Sequence, residues 1–266
     1  MKRAIHKNEM NIPVVSTIVF LLLFSFAFYS FSQETVDSVK PEGIIILNPG
    51  HGGRDLGISV NEKIREKNIV LGVARKIIPS ESEESRYSFV LSRQSDVTRS
   101  DAERDAMAVE LKPNAFVSLH VGSSYDSSVR GVKIYVWSNV MGAISLGKAQ
   151  SEEKWWEKTG GELLKTYKVR LLENVQSDYV RESRQLAGSI KNEVTKIRGI
   201  PCTIENAPVR EIGSVTAPAV SIEVLQASNE TDRRMILDES IMAQIASAFR
   251  RGIENFVLEQ NAVMER

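Results

Sequence analysis

The chain carries a single cysteine, Cys202, among 266 residues. One thiol closes no intramolecular disulfide, and the absence of a C-x-x-C pair excludes a thiolate zinc site. Histidine is almost as scarce, at three in the whole sequence. A surplus of either charge is also missing: 34 Lys and Arg balance 34 Asp and Glu, for a net formal charge of zero. With no basic excess and no Lys/Arg-rich run, nothing here neutralises a line of phosphates, which argues against a nucleic-acid partner. No period of about 20 to 50 residues recurs, so a solenoid or propeller is excluded. Any metal must therefore be held by imidazoles and carboxylates.

What is present fits an ordinary globular domain with a sizeable core: 42% of residues are hydrophobic and 26% charged. Lys2, Arg3 and Lys7 precede an apolar run from Ile12 to Phe31, and the small residues Ser30 and Ser32 stand just before Gln33. This is the layout of an export signal over residues 1–32, and the run is also long enough for a retained membrane anchor. Both readings send the chain out of the cytoplasm, to the periplasm or cell envelope. Loss of this segment removes His6 and leaves His51 and His120 as the histidines of the mature chain. Residues 33–42 read as a polar tether, and a catalytic domain is expected over 43–260.

Ile44 to Leu47 is a short apolar run stopped by Asn48-Pro49-Gly50, the pattern of a strand buried on both faces. Ile69, Val70, Val73 and Ile77 share one face of a helix that begins near Glu66 and ends before Pro79. Further strands are expected at Tyr87–Leu91, Ala115–Leu119, Val132–Val136 and Ala217–Ile222, and helices at Asp101–Leu111 and Asp238–Leu258. Asn139 to Ile197 reads as charged, helical and without a strand. Strands alternating with helices predict an α/β fold: one domain, a central, mostly parallel twisted sheet with helices on both faces, and a helical insert.

In such sheets the working groups gather at the carboxyl ends of the strands. His51 follows the first strand, His120 ends Phe116-Val117-Ser118-Leu119, and Glu223 ends Ala219-Val220-Ser221-Ile222. Zinc catalysis asks for three His or carboxylate ligands, an open position, and a nearby carboxylate that is not a ligand. The two histidines supply two ligands. Glu66, at the start of a helix, is a sound third, with Glu62 and Asp55 as competitors on composition alone.

Asn48-Pro49-Gly50-His51-Gly52-Gly53-Arg54-Asp55-Leu56-Gly57, Glu66-Lys67-Asn68, Ser118-Leu119-His120 and Pro218-Ala219-Val220-Ser221-Ile222-Glu223, then Ser228-Asn229, resemble in order and spacing the zinc-dependent N-acetylmuramoyl-L-alanine amidases of the amidase-3 family. The resemblance covers about Gly43 to Leu258. It implies that His51, Glu66 and His120 ligate zinc and that Glu223 is the catalytic carboxylate, and its spacing favours Glu66 over Glu62. It further implies peptidoglycan as substrate, cut at the amide between the lactyl group of N-acetylmuramic acid and L-alanine. Arg93 and Gly131 match family positions of structural value.

The sequence departs from the family at several points. Asn48 replaces an acidic residue, so an acceptor beside the zinc ligands is expected to have lost its charge and zinc affinity to be lowered. Val121-Gly122 follow His120 in place of Ala-Asn, and Val224-Leu225 follow Glu223 in place of a small residue and Gly. These changes leave open a second reading, a weak or inactive relative that binds peptidoglycan or regulates its turnover. Some family members carry an occluding helix that a partner protein displaces. By that resemblance Met141 to Tyr179 is expected to gate the cleft, with Glu152 or Glu153 as plug and Trp155-Trp156 as the docking handle of an activator.

Overall fold

A computed structural model describes residues 41–80, 83, 85–138 and 175–264. β1 (Gly43–Pro49) is the apolar run, with Ile45, Ile46 and Leu47 fully enclosed. A loop leads to α1 (Glu66–Ile77), which stops where Pro79 holds Ile78 in extended backbone. β2 (Tyr87–Leu91) precedes α2 (Asp101–Leu111). A capping box starts α2: Ser100 Oγ accepts from the Glu103 N–H, and Glu103 Oε2 accepts from the Ser100 N–H. β3 (Ala115–Gly122) and β4 (Val132–Trp137) follow. After a short 3-10 helix at Val175–Tyr179 come α3 (Val180–Val194), β5 (Cys202–Ala207) and α4 (Arg210–Gly213). β6 (Ala219–Gln226), α5 (Glu230–Ile236) and α6 (Glu239–Met264) complete the described chain.

The strands form one sheet in the order β2-β1-β3-β6-β4-β5, parallel throughout except where β4 meets β6. Helices cover both faces, as expected. One face carries Leu47, Val117, Leu119, Ile134 and Ile222 into the main core, under Val73 and Ile77 of α1, Ile190 of α3, and Phe249 and Ile253 of α6. The other carries Ile46, Phe116, Trp137 and Ala219 under Ala108 of α2 and Ile212 of α4.

That second face turns polar along the strands. Ile46 gives way to Asn48 in β1, Phe116 to Ser118 and His120 in β3, and Ala219 to Ser221 and Glu223 in β6. The register pairs Asn48 with Ser118, Ser118 with Ser221, and His120 with Glu223. Parallel partners point to the same side, so sequence alternation alone sets these polar groups side by side.

Three details differ from the sequence reading. β1, β3 and β6 do not stop at Leu47, Leu119 and Ile222 but run on to Pro49, Gly122 and Gln226, so Asn48, His120 and Glu223 lie inside strands. The polar residues interrupt apolar runs and so resemble strand ends in the sequence, yet ladder pairing continues past them. β5, α4 and α5 were not expected: Cys202–Ala207 carries too few apolar residues to stand out, and it forms by pairing with β4. α6 continues six residues beyond the expected Leu258. Among the described residues no helix is long and apolar enough to cross a membrane.

Candidate metal centre

The loop after β1 is fixed from beneath by two buried arginines. Arg93 donates to the carbonyls of Pro49 at 3.0 Å and of Gly50 and Lys67 at 2.8 Å, tying the loop to the first turn of α1. Arg104 donates to the carbonyls of Pro49 and His51, both at 3.3 Å. So held, His51 adopts a left-handed backbone with φ of 58°, uncommon for a residue with a side chain. Gly50 passes directly over His120, where a Cβ would fall 2.2 Å from the imidazole Cε1; only glycine leaves that ring its place. Gly131, the other family-matched position, donates its N–H to buried Asp232 at 2.6 Å.

Glu66 opens α1 and is buried. Its Oε2 accepts from the Ile58 N–H and its Oε1 from the Val121 N–H, both at 2.9 Å. The same Oε1 lies 3.0 Å from His51 Nε2 and 3.1 Å from His120 Nδ1. The two imidazoles meet edge to face, their centroids 5.1 Å apart. One donor atom from each of His51, Glu66 and His120 lies within 4.8 Å of the other two. Two imidazoles and a carboxylate, without sulfur, form a donor set suited to a divalent metal.

Burial would raise the Glu66 pKa, but the hydrogen bonds from His120, His51 and the backbone outweigh it and hold the carboxyl far below the usual range. For His51 the hydrogen bond to Glu66 dominates over burial and raises the pKa. Burial opposes charge on His120, yet Glu211 and Glu66 prevail and raise it to about 10. Two imidazoles and two carboxylates thus form one hydrogen-bonded cluster.

The remaining sequence candidates separate. Asp55 is not among the three donors; it holds the other nitrogen of the His51 ring, with Oδ2 2.9 Å from Nδ1. Glu62 is exposed in the loop before α1. Asn48, the position of the lost charge, makes its side-chain hydrogen bonds away from the three donors. Its Nδ2 donates to Ser118 Oγ at 3.0 Å, and its Oδ1 accepts from Ser92 Oγ at 2.6 Å and from Arg104 Nη1, so it bonds to neither histidine. The β1–β3 register aims it at Ser118, one layer below the donors.

Glu223 stands one strand over from His120, on the same face. Its Oε2 accepts from Gln226 Nε2 at 2.9 Å, and the Tyr135 phenol also bonds to it. Burial, together with this carboxylate, pushes the Tyr135 pKa up. Sequence reasoning missed Glu211, whose Oε1 lies 3.0 Å from His120 Nε2. Burial would raise its pKa, but the contact with His120 and two serine hydroxyls lower it to about 2. No motif marks it, since it sits on a four-residue helix that was itself not expected. Glu152, Glu153, Trp155 and Trp156 lie outside the described residues, as does all of the expected gating segment before Val175.

A family model described as N-acetylmuramoyl-L-alanine amidase matches residues 45–255. A Haemophilus influenzae protein named probable N-acetylmuramoyl-L-alanine amidase AmiB is 28% identical across 92% of this chain and 59% of its own length. The N-acetylmuramoyl-L-alanine amidase AmiC of Neisseria meningitidis is 26% identical across 80% of this chain and 52% of its own. The chain thus spans a little over half the length of these relatives. Among solved structures, the catalytic domain of CwlV from Bacillus (Paenibacillus) polymyxa superposes with a TM-score of 0.55 at 21% identity, covering 80% of this chain and 97% of that domain, a likeness of fold.

Proposed function

Because the chain belongs to the N-acetylmuramoyl-L-alanine amidase (amidase-3) family, we propose that it is a zinc-dependent peptidoglycan amidase, cutting between the lactyl group of N-acetylmuramic acid and L-alanine of the stem peptide. The observation that carries this reading is the convergence of His51, Glu66 and His120 from three separate segments onto one point. These are donors of the kind and number that catalytic zinc uses. Zinc held there would supply Lewis acidity, polarising the scissile carbonyl and acidifying the attacking water.

The protein's own groups do the rest. Glu66 and the two imidazoles would hold the ion. Glu223 takes a proton from the attacking water and delivers it to the stem-peptide nitrogen as the C–N bond breaks, leaving a lactyl carboxylate and a free L-alanine amine. Its register beside His120 and its hydrogen bonds from Gln226 and Tyr135 support that role, since both donors hold the carboxylate in one orientation. The substrate lies outside the cytoplasmic membrane, where the basic-then-apolar N-terminal stretch would direct the chain.

Digestion of purified sacculi with added zinc tests the proposal, with wild type run against Glu223→Ala and product masses recorded. Release of intact stem peptides with a free L-alanine amine is expected from wild type, and a loss of at least about a hundredfold from the variant. Wild-type protein that binds zinc and pellets with sacculi but releases nothing would overturn it, as would cleavage between two amino acids of the stem.

A further inference from the structure

We propose that Glu211 is a positioning residue of the metal centre: it accepts the Nε2–H of His120 and thereby turns Nδ1 toward Glu66 and His51. The inference rests on the metal-binding reading above and adds a residue to it. A neutral imidazole offers one nitrogen to a metal and carries its proton on the other, so whatever binds the proton chooses the ligating atom.

The two rings are treated alike. Each turns one nitrogen to Glu66 Oε1, His51 through Nε2 at 3.0 Å and His120 through Nδ1 at 3.1 Å. Each has a second carboxylate on the opposite nitrogen, Asp55 Oδ2 on His51 Nδ1 at 2.9 Å and Glu211 Oε1 on His120 Nε2 at 3.0 Å. Glu211 is therefore no ligand itself, because the imidazole ring stands between it and the converging donors.

Glu211 is in turn held from two sides. Ser221 Oγ donates to its Oε1 at 2.6 Å, and the Ser118 side chain bonds to it as well. These serines are register partners on β6 and β3, so neighbouring strands present both hydroxyls to one carboxylate. Ile212, the next residue, is wholly buried in the smaller core and anchors the short helix that carries Glu211. The charge also has a local reason. Glu211 and Arg104 line the same cavity of about 150 Å³, and the Arg104 hydrogen bonds go to the neutral oxygens of Asn48, Pro49, His51, Ser92 and Arg99. With a neutral Asn48 beneath that guanidinium, Glu211 joins Asp101, which lines the same cavity, in bringing negative charge to Arg104.

Zinc affinity measured by competition with a chromophoric chelator tests this, alongside the cobalt(II) absorption spectrum as a report on ligand geometry. Wild type, Glu211→Ala, Glu211→Gln and Ser221→Ala are compared, with circular dichroism to confirm folding. Glu211→Ala is expected to bind zinc about 10- to 100-fold more weakly and to change the cobalt spectrum. Glu211→Gln, whose amide oxygen still accepts the Nε2–H, should recover most of the loss, and Ser221→Ala should fall between. If Glu211→Ala does not fold, the other two variants decide by that same order. Affinity and spectrum unchanged in folded Glu211→Ala, or in Ser221→Ala where the alanine variant is unfolded, overturn the role of Glu211 while leaving the metal site intact. Wild-type protein that binds neither zinc nor cobalt overturns both.

Discussion

Buried Arg104 is a cation whose hydrogen bonds reach neutral oxygens, and Asn48 Oδ1 is one of them. Hydrogen bonds to an ionised partner contribute more than neutral ones, by about 1 kcal/mol. Asn48→Asp would place such a partner at Arg104 Nη1, and the Ser118 hydroxyl, which accepts from Asn48 Nδ2 and gives its one proton to Glu211, would trade that carboxylate for the new one, leaving the gain at Arg104. The variant is expected to raise stability by about 1 kcal/mol, read as a higher urea midpoint with an unchanged slope. A lower midpoint would mean that Asp101 and Glu211 already balance the guanidinium. Gly50→Ala acts in the opposite direction. Its Cβ would collide with the His120 ring, so the imidazole must move off its position. At about 1–3 kcal/mol for such overpacking, zinc should bind roughly 10- to 100-fold more weakly in a protein that keeps its far-ultraviolet spectrum. The two histidines of the cluster were legible at this scale because so few exist to choose from, and Glu66 only through the family spacing. Glu211 was not: its meaning depends on which serine faces which across two strands, and a single sequence does not display register.

At the scale of elements, α3 and α6 approach closely at one point. A Cβ on Gly252 of α6 would stand 2.5 Å from Ile190 Cα, so the backbones must part to admit it. Gly252→Ala should cost about 1–3 kcal/mol, measured as a fall in melting temperature, with no change in zinc affinity because α3 and α6 pack on the sheet face opposite His120 and the contact involves only Ser189 and Ile190. Glu193 joins the same two helices, accepting from Lys196 in the turn after α3 and from Arg251 Nε of α6 at 2.9 Å. Those hydrogen bonds outweigh burial and lower its pKa below the ordinary 4.5. A carboxylate depressed on folding stabilises the native state above its unfolded pKa, and that contribution is lost as pH falls through the lower, folded value. Acid titration of stability should therefore show a decline beginning near pH 4.5 that Glu193→Gln reduces, by about 0.5–1 kcal/mol given its half-exposed partners. The same pair of helices shows what patterning does and does not reveal. α6 was visible from its apolar stripe, whereas β5, an edge strand with the sequence CTIENA, owes its form to β4 and so could be found only in three dimensions.

Across the whole molecule, the donors come from a loop after β1, the first turn of α1 and the interior of β3, segments 15 and 54 residues apart that the sheet order alone brings together. An ion held by all three binds the folded chain and has no equivalent site on the unfolded one. Mass action then stabilises the fold by about 2.7 kcal/mol when free zinc stands at about a hundred times the dissociation constant. For a domain of this size each kcal/mol moves the melting temperature by about 2–4 °C, so zinc-loaded protein should melt roughly 5–10 °C above protein in a chelator. The difference should keep growing with free zinc rather than saturate, because the linkage is logarithmic in concentration. Glu66→Ala removes the carboxylate that both imidazoles face and should abolish the zinc dependence. Scanning calorimetry of wild type and Glu66→Ala, each in chelator and in zinc, separates this from general salt effects. Equal melting temperatures for wild type in the two buffers would mean that these segments meet without gripping an ion, and that the sheet brings them together for some other end.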